Sequence, residues 1–417
     1  MAHRGPGRRL SLGLVLVLAC GGVSAQSSPY SIGLSQTLGY DSNLLRLGNE
    51  EPVPEGFSKA DTSTTTTLLA GLSQRLGRQR VSANVSLRDT RYDSNSTFNN
   101  QGYTLRGGLD WETIERLSGS VNFSANRNLQ RFNTAEIGFL REKNLETVRA
   151  LNARISLGLV TEYSLEVTGS RTEVRNSLQQ DSVQAREFTQ DNAGVGLRWN
   201  PSNYTSLGLT AGVTRGRYPK FRSAPDGFVA DRFKRDSIEF NAAHRFSGAS
   251  SVELRLSNGK TVYDLNTQRD FEGLTGYLGW TWQPTSKLVF TNSLTRDTGQ
   301  DSYATTVFTL PTIADYSRDN TVLRIAADYN FSAKVSFTSS LVYYRSSLVR
   351  TIDNPFLPLD AEGRDKVIQF GLGARWTPVR SAIVGCDLSS QDRRAEGQLA
   401  VSLRAATFSC YGQLTLQ

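Results

Sequence analysis

Beyond residue 28 the chain falls into about eighteen segments in which apolar and polar residues alternate, joined by links of alternating length, two to four residues and then roughly nine to twenty-two. Segment 147–159 sets Leu151, Ala153, Ile155, Leu157 and Leu159 on one face and Asn152, Arg154, Ser156 and Gly158 on the other. Residues 193–199 repeat this with Ala193, Val195, Leu197 and Trp199, and residues 323–331 with Leu323, Ile325, Ala327, Tyr329 and Phe331. A period of two with one apolar face is a strand with one side in an apolar phase. Short links at one end and long links at the other mark an antiparallel barrel that crosses a bilayer, lipid outside and lumen inside.

The pattern predicts strands near 30–40, 64–76, 80–92, 102–112, 117–131, 147–159, 162–175, 187–199, 204–217, 236–247, 251–264, 271–283, 286–298, 320–332, 335–349, 366–377, 381–392 and 403–416. The expected fold is therefore all-β, a single transmembrane up-and-down barrel of about 18 strands, with 16 as the runner-up. Turn formers fill the tight links, as in Asn200-Pro201-Ser202-Asn203, Gln283-Pro284-Thr285-Ser286 and Thr377-Pro378-Val379-Arg380. Links 41–63, 132–146, 218–235, 299–319 and 350–365 are expected to be long loops. Trp111, Trp199, Trp280, Trp282 and Trp376 all fall within about four residues of a short link. That placement suits an aromatic girdle at one membrane interface, where an indole keeps its N–H wet and its ring in apolar surroundings. A soluble β-sandwich would need several domains with linkers, and a β-helix would show a tighter repeat; neither pattern is present.

Composition refines this reading. Arg4, Arg8 and Arg9, the apolar run Leu10–Ala19 and the small residues Val23-Ser24-Ala25 read as a secretory signal peptide over 1–25, leaving 26–417 as the barrel. No later stretch reaches the ~18–20 apolar residues of a membrane-spanning helix. Loss of the leader takes the formal net charge from +8 to about +5, too mild an excess to suggest nucleic-acid binding.

Candidate chemistry is sparse. The two histidines are His3, in the leader, and His244, which shares its alternation with Ile238, Phe240, Ala242 and Phe246 and so faces lipid. No His/Cys cluster suggests a metal and no glycine-rich phosphate loop follows a strand, so no enzyme, cofactor or metal site is expected. The loop carboxylates Asp226 and Asp231 sit among bases that would salt-bridge them. The predicted lumen face carries Arg75, Arg106, Arg154, Arg198, Arg245, Arg255, Arg324 and Arg375 with Asp110, Glu166, Glu239, Glu253, Asp328 and Asp387. Mixed charge of this kind lines water-filled porins and also fills closed barrels, and both readings stay open. Segment 215–235 interleaves Arg215, Arg217, Lys220, Arg222, Arg232, Lys234 and Arg235 with Tyr218, Phe221, Phe228 and Phe233. As a loop it would either stack on sugars or lie against lipopolysaccharide phosphates.

The opening segment Leu38-Gly39-Tyr40-Asp41-Ser42-Asn43-Leu44-Leu45-Arg46 resembles the start of outer-membrane β-barrels encoded in exopolysaccharide biosynthesis operons (EpsL-type). The end resembles them too, at Val384-Gly385-Cys386-Asp387-Leu388-Ser389 and Phe408-Ser409-Cys410-Tyr411-Gly412-Gln413-Leu414. The resemblance implies a non-enzymatic component of exopolysaccharide export in the bacterial outer membrane. Its expected partners are outer-membrane lipid and lipopolysaccharide, polysaccharide and other export-machinery proteins. The alternative is a general or substrate-specific diffusion porin. One departure from outer-membrane barrels is the ending Leu414-Thr415-Leu416-Gln417, which lacks a terminal aromatic.

Cys386 and Cys410 both fall on lipid-facing positions, and their midpoint lies inside the link between the last two strands. A hairpin centred there sets them opposite one another at disulfide range, and an oxidising periplasm would let them pair.

Overall fold

A computed structural model of the chain describes residues 28–130, 140–160, 162–298, 317–352, 359–397 and 401–416. The expected signal peptide lies outside the described residues. The strands are β1 (Tyr30–Asp41), β2 (Asp61–Leu76), β3 (Gln79–Tyr92), β4 (Asn100–Glu112), β5 (Leu117–Gln130), β6 (Asn144–Val160), β7 (Tyr163–Asn176), β8 (Phe188–Ser202) and β9 (Thr205–Ala224). They continue with β10 (Gly227–Ser247), β11 (Ser250–Tyr263), β12 (Phe271–Thr285), β13 (Leu288–Asp297), β14 (Ser317–Tyr329), β15 (Val335–Ile352), β16 (Leu359–Val379), β17 (Ala382–Gly397) and β18 (Leu403–Leu416). Each pairs antiparallel with the next, and β1 pairs with β18 from Ile32 opposite Leu416 to Asp41 opposite Thr407, so the 18-stranded sheet closes on itself.

The alternation fixes which way the closed sheet faces. Outward positions carry exposed apolar side chains all round the wall, among them Leu34 (54%), Val195 (53%), Leu209 (57%) and Ile238 (61%). Water would not tolerate so continuous an apolar belt, and hydrocarbon would not tolerate an open sheet edge; a closed barrel in a bilayer satisfies both demands. An even-stranded, single-chain barrel with short turns at one end is the bacterial outer-membrane architecture, and that is where this chain resides.

The aromatic residues mark the short-turn interface. Trp199, Trp280, Trp282 and Trp376 are exposed on the outer face just before short turns, and Trp111 occupies the equivalent place on β4. Trp199 stacks on Tyr163 at 6.1 Å, Trp280 on Trp282 at 5.7 Å and Trp282 on Phe290 at 5.6 Å. The Trp280 Nε1–H donates to Ser250 Oγ at 3.1 Å, so the polar edge of the ring is satisfied at the interface.

Three expectations need correcting. Segment 218–235 is not a loop: β9 and β10 run on to a two-residue turn, Pro225-Asp226, after which Gly227 takes φ 126°. β16 likewise starts at Leu359, well before the expected 366. Beyond the hydrocarbon edge the outward residues become charged, so the apolar alternation ends while the backbone hydrogen bonds of the ladder continue. Asp231 is also not salt-bridged by its basic neighbours; it accepts the backbone N–H groups of Leu265 (2.9 Å) and Asn266 (3.2 Å).

That brace recurs every four strands. Asp61 accepts from the N–H groups of Ser94 (3.0 Å) and Asn95 (2.8 Å), and Asn144 from that of Leu178 (3.2 Å). In the same three places the last strand residue donates its N–H to a side chain at the far end of the link: Tyr92 to Asn99 (2.7 Å), Asn176 to Glu187 (3.1 Å) and Tyr263 to Asp270 (2.8 Å). The strand after each link, and β16 as well, carries near its end a tryptophan two residues before Thr or Pro: Trp111, Trp199, Trp282 and Trp376. Sequence and hydrogen bonding thus share a four-strand period that ties the outer links to the wall.

Cys386 and Cys410 face outward in register on β17 and β18 and form a disulfide with Cα atoms 4.0 Å apart. The bridge closes the final hairpin over a sequence separation of 24. Replacing both cysteines by serine is expected to remove about 3 kcal/mol in the chain-entropy account, lowering the unfolding midpoint in detergent. Denatured, unreduced protein should show no reactive thiol at these two positions.

Candidate functional site

The lumen face changes character along the barrel axis. Towards the short turns its ionic side chains stand in open space: Arg75, Arg106, Arg154, Arg245, Arg375, Asp110, Glu253, Asp328 and Asp387 are exposed, and Arg198, Arg324, Glu166 and Glu239 are half-buried. All point inward by the register of their strands, as the alternation predicts. The structure draws some of them together. Glu166 on β7 is gripped by Arg154 of β6 and by Arg198 of β8, whose Nε lies 2.7 Å from Oε1. Arg255 and Glu239 approach to 3.6 Å across β10 and β11. Arg255 is the buried member of the set, at 8% exposed.

Towards the long links the same face is packed. On β8–β11 four inward rings run side by side around the wall, Phe188 to Tyr218 at 5.6 Å, Tyr218 to Phe233 at 6.1 Å and Phe233 to Tyr263 at 5.1 Å. Position 216 has to be glycine here, because a Cβ would collide with the Phe233 ring laid across it. The Arg269 guanidinium sits over the Tyr218 and Tyr263 rings at 5.6 and 5.2 Å, where the negative ring faces attract it. Arg235, buried beneath, reaches along the wall to the hydroxyls of Thr261 (3.5 Å), Thr275 (3.2 Å) and Thr298 (3.3 Å), past three neighbouring strands.

The opposite arc is polar. Tyr344 on β15 donates to Asn320 on β14 at 2.7 Å, and Asn320 donates to Asp297 on β13 at 3.3 Å. Arg393 on β17 holds the fully buried Asp365 on β16, its Nε 3.1 Å from both carboxylate oxygens. A buried charge is tolerated only when paired this way. The short 3-10 turn Thr267–Arg269 packs against β15, three strands beyond β12, so this link folds in across the mouth. Aromatic and polar arcs together pack buried side chains against the inner wall near the long links.

Sequence reasoning placed the fourteen lumen charges but missed this belt. Arg235 and Phe233 were expected in a loop, although Phe233, Arg235, Ser237 and Glu239 share one parity and could have been joined to β10. Within 215–235, Tyr218 and Phe233 point inward while Arg215, Arg217, Arg232 and Lys234 are exposed on the outer face, and the exposed Phe228 has Lys220 Nζ 5.9 Å from its ring centre. His244 stands on the lipid side near the short turns, its Nδ1 2.9 Å from Thr205 Oγ1 and its ring edge-on to Phe246.

No protein-family model and no curated protein sequence matches the chain. Solved structures resemble it. Pseudomonas aeruginosa OccK2 (OpdF) is 10% identical over 93% of this chain and 98% of its own, with a TM-score of 0.49. OccK1 (OpdK) of the same organism is 13% identical over 93% and 99%, with a TM-score of 0.48. The FrpB iron transporter from Neisseria meningitidis (F5-1 variant) is 11% identical over 89% of this chain and 62% of its own, also at 0.48.

Proposed function

We propose that this barrel is a solute-selective diffusion channel for small polar molecules, with its selectivity set in the narrow outer half. One observation carries the reading: along a single inward face, ionic side chains pass from exposed near the short turns to buried near the long links. An 18-stranded wall encloses an aqueous lumen unless side chains or loops fill it. Here, among the described residues, the filling lies towards one end, as suits a water-filled chamber behind a constriction.

Export of exopolysaccharide rests on the terminal motifs, and those motifs have structural work that explains them. Asp41 accepts from the Asn43 N–H (2.9 Å) and from Arg46 (2.8 Å), while Asn43 caps the turn through Leu47 and ties it to Arg404. The closing motif supplies the disulfide. Neither contributes glycan-specific chemistry, so the porin reading is the better supported one.

Liposome swelling tests it. Vesicles holding the purified barrel should admit small polar solutes and exclude oligosaccharides, and a gene deletion should leave secreted polysaccharide unchanged. Exclusion of every solute by folded protein would refute the proposal. Glu166 gives a finer check. Its carboxylate offsets Arg154 and Arg198 in the chamber, so Glu166→Gln is expected to leave both guanidiniums uncompensated. The reversal potential in a salt gradient should then move towards greater anion preference.

A further inference from the structure

The outer surface of the β9–β10 hairpin holds four bases in an arrangement that the fold alone does not favour. Arg217 on β9 is directly opposite Arg232 on β10, and Arg215 is directly opposite Lys234. All four are exposed on the lipid-facing side of the wall. Like charges set opposite one another on a sheet repel and destabilise the pair. Lys234 has Asp236 at 2.7 Å, but among the described residues no carboxylate pairs with Arg215, Arg217 or Arg232. Of the acids close in register, Asp191 on β8 opposite Arg215 is engaged by Arg171 at 3.5 Å, and Asp264 beside Arg232 forms no ion pair with it.

Height in the membrane gives the square its meaning. Below it, past Asp236 on β10, the same faces are apolar: Leu209, Ala211 and Val213 on β9, and Ile238, Phe240 and Ala242 on β10. Arg215 is two residues beyond Val213, roughly 7 Å along the strand, so the bases begin where the hydrocarbon ends. They lie at the long-link end of the barrel, which faces the outer leaflet. Neighbouring strand positions put the four Cβ atoms at the corners of a figure about 5 by 7 Å. Guanidinium forks converging from that frame match a phosphate bidentately, and they do so next to an apolar wall that acyl chains can follow.

We infer that this square is a docking site for a phosphorylated glycolipid of the outer leaflet, its sugar-linked phosphate held by Arg215, Arg217, Arg232 and Lys234 and its acyl chains lying against Leu209, Val213 and Phe240. The phosphate supplies the anion that the two opposed base pairs lack. This site is on the outside of the wall and does not depend on whether the lumen conducts.

The test uses the full chain in neutral detergent, titrated with bis-phosphorylated lipid A and with the same lipid stripped of phosphate. Binding of the phosphorylated lipid should exceed that of the stripped lipid at least tenfold. The double variant Arg217→Gln/Arg232→Gln should lose most of that difference. A control that removes the same charge at the opposite rim, Lys334→Ala/Arg380→Ala, should keep it. Thermal unfolding adds a sign test that needs no binding constant. Without anionic lipid the Arg217→Gln/Arg232→Gln barrel should melt at or above the wild-type temperature, since a like-charge pair is relieved. In lipid A the order should reverse. Equal affinity for both lipids, or a variant that binds as well as wild type, overturns the proposal. Full competition by millimolar inorganic phosphate would overturn the lipid assignment, showing a free-phosphate site instead.

Discussion

Arginine placed at Phe370 is expected to destabilise the folded barrel in lipid by about 2–4 kcal/mol. Phe370 faces outward on β16, six residues above Trp376 of the girdle. Six residues are roughly 20 Å of strand, or about 15 Å along the membrane normal at the usual tilt, close to the middle of a ~25 Å apolar band. A guanidinium there leaves water for hydrocarbon with no partner on the bare outer face. Gln369, one residue away, points into the lumen, and Gln369→Arg should change stability by less than about 1 kcal/mol, because the added charge stays wet. Reversible denaturant unfolding in vesicles measures both. Equal costs at the two neighbours would mean that the faces have been assigned wrongly.

The second large effect is expected at the outer rim. Asp61 is 5% exposed and accepts four N–H groups, from Thr62, Ser94, Asn95 and the Asn95 side-chain amide, at 2.8–3.0 Å. Asp61→Ala strands those donors around a residue, Asn95, that is itself 2% exposed. Unsatisfied buried donors cost about 1–3 kcal/mol each, so a loss of about 3 kcal/mol is expected, concentrated in link 93–99. Backbone hydrogen exchange should rise across that link while the girdle end of β3 and β4 stays protected. Asp61→Asn, which keeps one acceptor oxygen, should lose less. Unchanged exchange in Asp61→Ala would contradict the brace.

The barrel is legible in the sequence because hydrocarbon imposes a rule on every second residue. Val195, Leu209 and Ile325 had to be apolar, so their period of two reveals strand, face and closure together. The rule lapses where the wall leaves the membrane. At Arg215, Arg217, Arg232 and Lys234 the outward residues are charged while the inward Tyr218 and Phe233 are aromatic, so the apolar outer stripe that marks each strand is lost. The hairpin was therefore read as a long link, and the inward belt of Phe233 and Arg235 was lost with it. The lumen charges nearer the short turns are legible because apolar neighbours frame most of them, as Leu197 and Trp199 frame Arg198. What they pair with could not be read, since the Glu166 cluster depends on register across β6, β7 and β8. The four-strand period is visible in hindsight at Trp111, Trp199, Trp282 and Trp376, and links 93–99 and 264–270 share one length while 177–187 is longer, a regularity that the alternation of faces does not report.

Single-channel recording in planar bilayers reconstituted with the purified, folded barrel tests the channel most directly. The account predicts discrete conductance steps at low voltage, small for an 18-stranded wall because the outer belt narrows the path. Folded barrel that inserts and yet passes no current, or that shows the large conductance of a lumen clear from end to end, would contradict it.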